Sequence, residues 1–139
     1  IRKCETKLSE GDFSGAITNA RSLIEDVLIG IEKDLDSGAP AYEGDLVKLY
    51  KRVQKQLNLE PDRKDISDSL RQILSGLTSI VNGLAAMRNK MSDAHAVSYR
   101  PSRHHAKLAV YAATTLADFL FETKNYQHKR GVPGLKGMA

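Results

Sequence analysis

An all-α bundle of four main helices behind a short N-terminal helix is the fold class that the sequence predicts. Three observations predict it. Apolar residues recur at threes, fours and sevens along nearly the whole chain. Gly and Pro gather at only a few points, and those points separate the periodic runs. No segment alternates apolar and polar residues as a half-buried strand does. The 139 residues suffice for one domain with one modest core. With 41% apolar and 27% charged residues, the composition is that of a globular chain rather than a disordered one. It holds no run of about 18 apolar residues, so no membrane-spanning helix is expected.

The elements follow in order. A short helix is predicted from Arg2 to Leu8. Phe13, Ile17, Ile24, Val27, Leu28, Ile31 and Leu35 then mark a long second helix, with Asp12 as its N-cap. The stretch from Asp36 to Gly44 is punctuated twice by Gly and once by Pro, and reads as a loop. Asp45 caps a third helix that turns Leu46, Leu49, Tyr50, Val53 and Leu57 inward and Lys48, Lys51, Arg52 and Lys55 outward. Pro61 breaks the chain again. The fourth helix is read from about Asp65 to Met91. Its apolar stripe runs through Leu70, Ile73, Leu74, Leu77, Ile80, Val81, Leu84, Met87 and Met91. Gly76 and Gly83 share a face of it with Ser79 between them. Such a face admits a second helix closely, from this chain or from another copy. After a loop from Ser92 to Ser102, the fifth helix is read from Arg103 to Lys124, with Leu108, Val110, Tyr111, Leu116, Phe119 and Leu120 as core candidates. Residues 1–124 thus form one helical domain and residues 125–139 a flexible basic tail. The chain opens on Ile1, and we read it as the C-terminal part of a longer protein.

Charge is segregated. Between Glu25 and Asp45 there are seven acids against Lys33 alone; between Ser69 and Ala117 there are six bases against Asp93 alone. The net charge is +4. A cationic second half suits a phosphate-bearing partner, and RNA is the partner expected. The lone cysteine, Cys4, allows no internal disulfide, and no secretory pattern opens the chain. A cytoplasmic location is therefore expected.

The chemistry-bearing stretch is Arg88-Asn-Lys-Met-Ser-Asp-Ala-His95. In an unbroken helix, seven residues separate two groups by about 10.5 Å along the axis, too far for both to grip one phosphate. A helix end between Met91 and Ala94 would close that gap. The trio Arg88, Asn89 and His95 suits metal-free RNA strand transfer. Imidazole moves the proton of an attacking 2′-hydroxyl near neutral pH. Guanidinium pairs its fork with the phosphate oxygens. The carboxamide holds an oxygen or orients its neighbours. Asp93 would steer the imidazole or bind the arginine. His95, His104 and His105 lack metal-ligand spacing, so neither metal nor cofactor is expected. Arg21 and Glu25 are an i,i+4 pair on the second helix, which reads by default as an ion pair within that helix. Lys90, Arg100 and Arg103 surround the motif as candidate RNA contacts.

Several stretches together resemble a known family. These are Ala20-Arg-Ser-Leu-Ile-Glu25, Leu74-Ser-Gly-Leu-Thr-Ser-Ile-Val81, Gly83-Leu-Ala-Ala-Met-Arg-Asn-Lys-Met-Ser-Asp-Ala-His95 and His105-Ala-Lys-Leu-Ala-Val-Tyr-Ala-Ala113. They resemble the abortive infection protein C-terminal domain, a member of the HEPN superfamily, over roughly Gly11 to Glu122. The resemblance implies a HEPN-like helical bundle that forms a homodimer, with paired Arg–polar–His motifs facing each other across a cleft. It implies a metal-independent ribonuclease acting in phage defence, with Arg88, Asn89 and His95 as the motif residues, and it makes Arg21, within the first of these stretches, a candidate to face the cleft and contact RNA. Some relatives lack catalysis, so the resemblance also allows a non-catalytic dimerisation or interaction module regulating an N-terminal effector. Ala96 stands where many relatives carry glycine, which stiffens the loop after the histidine.

Overall fold

The computed structural model describes residues 2–61, 64–92 and 101–130, without the side chains of residues 2, 88–92 and 130. Five helices make up the bundle: α1 (Arg2–Ser9), α2 (Phe13–Leu35), α3 (Leu46–Gln56), α4 (Asp68–Ser92) and α5 (Arg103–Arg130). The described residues contain no strand. The all-α reading, with one short and four main helices, is therefore correct.

The caps are local chemistry. Asp12 accepts the Gly15 N–H at 2.9 Å, and Asp45 accepts the Lys48 N–H at 3.1 Å, as the sequence suggests. Each carboxylate satisfies an N–H that the helix itself leaves unpaired. The hydrogen bond from Gly15, with Lys7 beside it, holds the Asp12 carboxyl below its ordinary pKa. The start of α4 differs from expectation. It lies at Asp68 rather than Asp65, because Ser67 makes the cap, its Oγ accepting the Leu70 N–H at 3.2 Å. The loop between α2 and α3 turns at Gly44, whose φ of +93° is a conformation that L side chains rarely adopt.

The core is built around α2, which packs against α1, α3, α4 and α5. Ile17, Ala20, Ile24, Leu28 and Ile31 are fully buried along it. Leu46, Leu49, Tyr50, Val53 and Leu57 close the core from the α3 side. Burial pushes the Tyr50 phenol up to about 12. Glu32, buried on α2, receives Arg52 from α3 through two bonds, Nε to Oε2 at 2.7 Å and Nη2 to Oε1 at 3.0 Å. That fork locks the two helices in register.

Three sequence readings need correction. First, Leu108 and Tyr111 are not core residues: they are 70% and 58% exposed. The inner face of α5 is made by Ala106, Ala109, Val110, Ala113, Leu116, Ala117 and Leu120. Small side chains let α5 lie close against α2, so the larger Leu108 and Tyr111 are turned outward. Second, the stripe on α4 is not buried throughout. Leu74, Leu77, Val81 and Leu84 are inside, but Leu70 and Ile73 are exposed. Third, α5 does not end at Lys124 but continues to Arg130. Gln127 is buried there and donates from Nε2 to the Leu57 carbonyl at 2.6 Å, which ties the extra turns to the end of α3. Lys124 also pairs with Asp34 at the end of α2.

Leu28 is 0% exposed at the centre of the helix that every other element touches. Leu28→Ala is expected to destabilise the fold by about 3 kcal/mol, through lost transfer energy and a residual cavity. Urea unfolding at unchanged slope checks it.

Candidate functional site

The candidate site is the end of the bundle where α4 reaches Ser92 and α5 begins at Arg103. Four buried residues spaced three, four and three apart, Leu74, Leu77, Val81 and Leu84, seat α4 on the core. Thr78 adds a polar tie: Gln54 of α3 donates from Nε2 to its Oγ1 at 3.1 Å. Beyond Leu84 the helix runs on unbroken to Ser92. Arg88, Asn89 and Lys90 therefore lie on α4. Their side chains lie outside the described residues, as do Asp93, His95 and Arg100 in residues 93–100. The chain is described again from Pro101 and Ser102, which open α5. The Ser102 carbonyl accepts the Ala106 N–H at 3.0 Å. Its Oγ stands 3.1 Å from His104 Nδ1 and 3.0 Å from His105 Nδ1. One hydroxyl thus gathers both rings at the start of α5.

Two basic residues read as RNA contacts fall in described positions. Arg103 is exposed, and its Nη1 reaches the Leu8 carbonyl of α1 at 3.4 Å. Arg21 is placed differently from the expectation that it faces the cleft: it is only 4% exposed. Its Nη1 donates to the Ala85 carbonyl of α4 at 3.3 Å, and its Nη2 to the Gly44 carbonyl at 3.2 Å. Nε faces Glu25 Oε1 at 3.8 Å. The i,i+4 pair of Arg21 and Glu25 is present, but it lies inside the fold. Tyr42 completes the cluster by donating its hydroxyl to Glu25 Oε2. Desolvation, reinforced by the Glu25 carboxylate, raises the Tyr42 phenol above its ordinary pKa. Sequence reasoning did not find Tyr42. It lies in a loop, and its partner is seventeen residues away.

A groove of about 460 Å³ opens between α4 and α5, beside this end of the bundle. Ile80, Gly83, Leu84 and Met87 line one wall, and His105, Leu108, Ala109 and Ala112 the other. Met87 immediately precedes the motif arginine. A Cβ built on Gly76 or Gly83 would meet nothing within 4 Å. Among the described residues, the small-residue face of α4 is therefore left unpacked at Gly76 and Gly83. Exposed Ile73, 62% accessible, extends the same apolar surface.

With this geometry in view, the comparison with known families becomes specific. The family model described as the HEPN-like domain, of the Abi_C type, matches residues 1–124. The chain belongs to this family. No curated protein and no solved structure matches it.

Because Gly76 sits in open space on a helix, Gly76→Ala is expected to stabilise the monomeric fold by about 0.5–1 kcal/mol, through helix propensity. Thermal or chemical unfolding at low protein concentration reads the sign.

Proposed function

We propose that this protein is a metal-independent endoribonuclease of the HEPN type, working as a homodimer in phage defence by abortive infection. One observation carries the reading: in a chain of the HEPN-like family, α4 continues past buried Leu84 through Arg88 and Asn89 to Ser92, and Asp93 and His95 follow in the sequence. In the proposed reaction a 2′-hydroxyl oxygen bonds to the adjacent phosphorus and the bond from phosphorus to the 5′-oxygen breaks. One imidazole takes the hydroxyl proton, and another, His95 of the partner subunit, returns a proton to the leaving 5′-oxygen. The products are a cyclic phosphate and a free 5′-hydroxyl. Arg88 balances charge on the phosphate oxygens as they crowd the transition state, and Asn89 orients one of them. Asp93 steers the ring. Lys90, Arg100 and Arg103 supply positive charge along the RNA backbone.

The open groove supports the dimer. Ile73 and Leu108 are large, apolar and exposed on either side of it, and Gly76 and Gly83 leave room for a close approach. The same feature favours a second reading, a non-catalytic dimerisation or interaction module that regulates an N-terminal effector. Cleavage separates the two readings. RNA cleavage by the wild-type chain is expected to persist in excess EDTA and to fall about 100-fold or more in His95→Ala and Arg88→Ala. Equal rates in all three proteins would remove the motif from the reaction. Dimerisation without any cleavage would leave the interaction module.

Leu108→Glu is expected to convert the dimer to a monomer in sedimentation, with the midpoint of monomer unfolding unchanged, because Leu108 has almost no role inside the chain.

A further inference from the structure

Arg21 is the one arginine buried in the described bundle, and the reaction outlined above does not use it. Burying a guanidinium is costly unless its donors are occupied. Here each Nη donates to a main-chain carbonyl rather than to a side chain. One carbonyl belongs to Ala85, three residues before Arg88 on α4; the other belongs to Gly44, where the loop from α2 turns into α3. Glu25, one turn further along α2, supplies the countercharge, and Tyr42 fixes Glu25 in turn. A chain of contacts thus runs from the α2–α3 loop through α2 to the last turns of α4.

The placement matters because of where apolar packing ends. Leu84 is the last buried residue among the described side chains of α4, and Ala85 is only half-buried. Among the described residues, no helix covers the side of α4 that lines the groove. Ala85 and Met87 pack only partly buried against the core there, and the Arg21 hydrogen bond is a polar contact that meets α4 at that boundary. We propose that Arg21 is a positioning residue: its grip on the Ala85 carbonyl sets the orientation of the α4 end and with it the placement of Arg88 and Asn89. This rests on the nuclease reading for its consequence, but the mechanical part stands without it.

The geometry also says why lysine would not serve. A guanidinium spans two carbonyls on different elements with separate donors in a fixed plane, while keeping Nε towards Glu25. An ammonium keeps the charge for Glu25 but has no planar fork with which to bridge Ala85 and Gly44. The same cluster accounts for Tyr42. Its hydroxyl holds Glu25, so Tyr42→Phe loosens the clamp without removing the cation.

The test uses the whole chain with Arg21→Lys, Arg21→Met and Tyr42→Phe, and two readouts. Amide hydrogen exchange reports the mechanical part. In Arg21→Lys, protection is expected to fall in the segment from Ala85 to Ser92 and around Gly44, with α3 and the α2 core unchanged. Cleavage of a defined RNA reports the consequence. In Arg21→Lys, kcat is expected to fall about tenfold to a hundredfold, as for a misplacement of about 1 Å, with KM nearly constant. Tyr42→Phe is expected to follow in the same direction with a smaller loss. If Arg21→Met fails to fold, Arg21→Lys and Tyr42→Phe still decide. Protection that falls evenly over the bundle, or lysine restoring full kcat, would overturn the proposal. Local loss of protection with an unchanged cleavage rate would overturn it as well. Local loss in a protein whose wild type does not cleave RNA would instead retire the nuclease reading and keep Arg21 as the clamp on α4.

Discussion

A helix that is apolar on more than one side has to be covered by its neighbours, and α2 is such a helix. Its fully buried positions, from Ala16 to Ile31, do not form a narrow stripe, and α1, α3, α4 and α5 all lie against it. Each fully buried leucine or isoleucine there contributes on the order of 2 kcal/mol by leaving water. The placement of the remaining helices follows from that demand. α5 approaches through alanines because closeness to α2 brings more contact than bulk would. α4 is seated through four side chains on one face, while another face of it is left open. The groove between α4 and α5 is thus the remainder of the arrangement: both helices serve α2 before they serve each other.

Polar groups then fix what apolar packing leaves loose. The Arg52–Glu32 fork sets α3 against α2, and Gln127 ties the last turns of α5 to the end of α3. Arg21 meets α4 at the Ala85 carbonyl, one residue past buried Leu84. These ties are specific in direction, whereas hydrophobic contact is not. A bundle made only of leucine and alanine faces would tolerate small rotations of α4, and a catalytic motif at its end would feel each of them. Under the proposed reading, the polar cluster of Arg21, Glu25 and Tyr42 is what gives the motif a fixed address.

Much of the fold was legible. Helical periodicity, the Asp12 and Asp45 caps and the Gly/Pro loop between α2 and α3 are local signals, and local physics decides them. The failures are instructive because they share a cause. Leu108 and Tyr111 looked like core because size and hydrophobicity suggested it, yet α5 needed its small residues inward. Leu70 and Ile73 looked like core because they continued a stripe, but a stripe does not say how much of itself a partner covers. The end of α5 was placed at Lys124, although no breaker appears before Gly131; the helix continues because Gln127 finds a carbonyl on α3. Burial and tertiary hydrogen bonds are non-local, and spacing within one helix does not carry them. The candidate site divides in the same way. The sequence put Arg88 and Asn89 late in the fourth helix, and α4 carries both of them. It could not show that Arg21 turns inward, because an i,i+4 pair looks the same on a buried face as on a wet one.

The open face of α4 also connects stability to the proposed assembly. Exposed Ile73 and Leu108 add little to the fold of a single chain, and Gly76 and Gly83 lower helix propensity where alanine would fit. All four choices are unfavourable for a monomer. They become intelligible when the face is covered by another surface, since glycine then permits a close approach and leucine has a partner to bury against. Under the proposed homodimer, that surface adjoins Met87 and hence the motif arginine. Association and catalysis would then draw on the same end of the bundle. Under that reading the single chain is incomplete on its own, and the second copy is what brings an acid and a base to one phosphate.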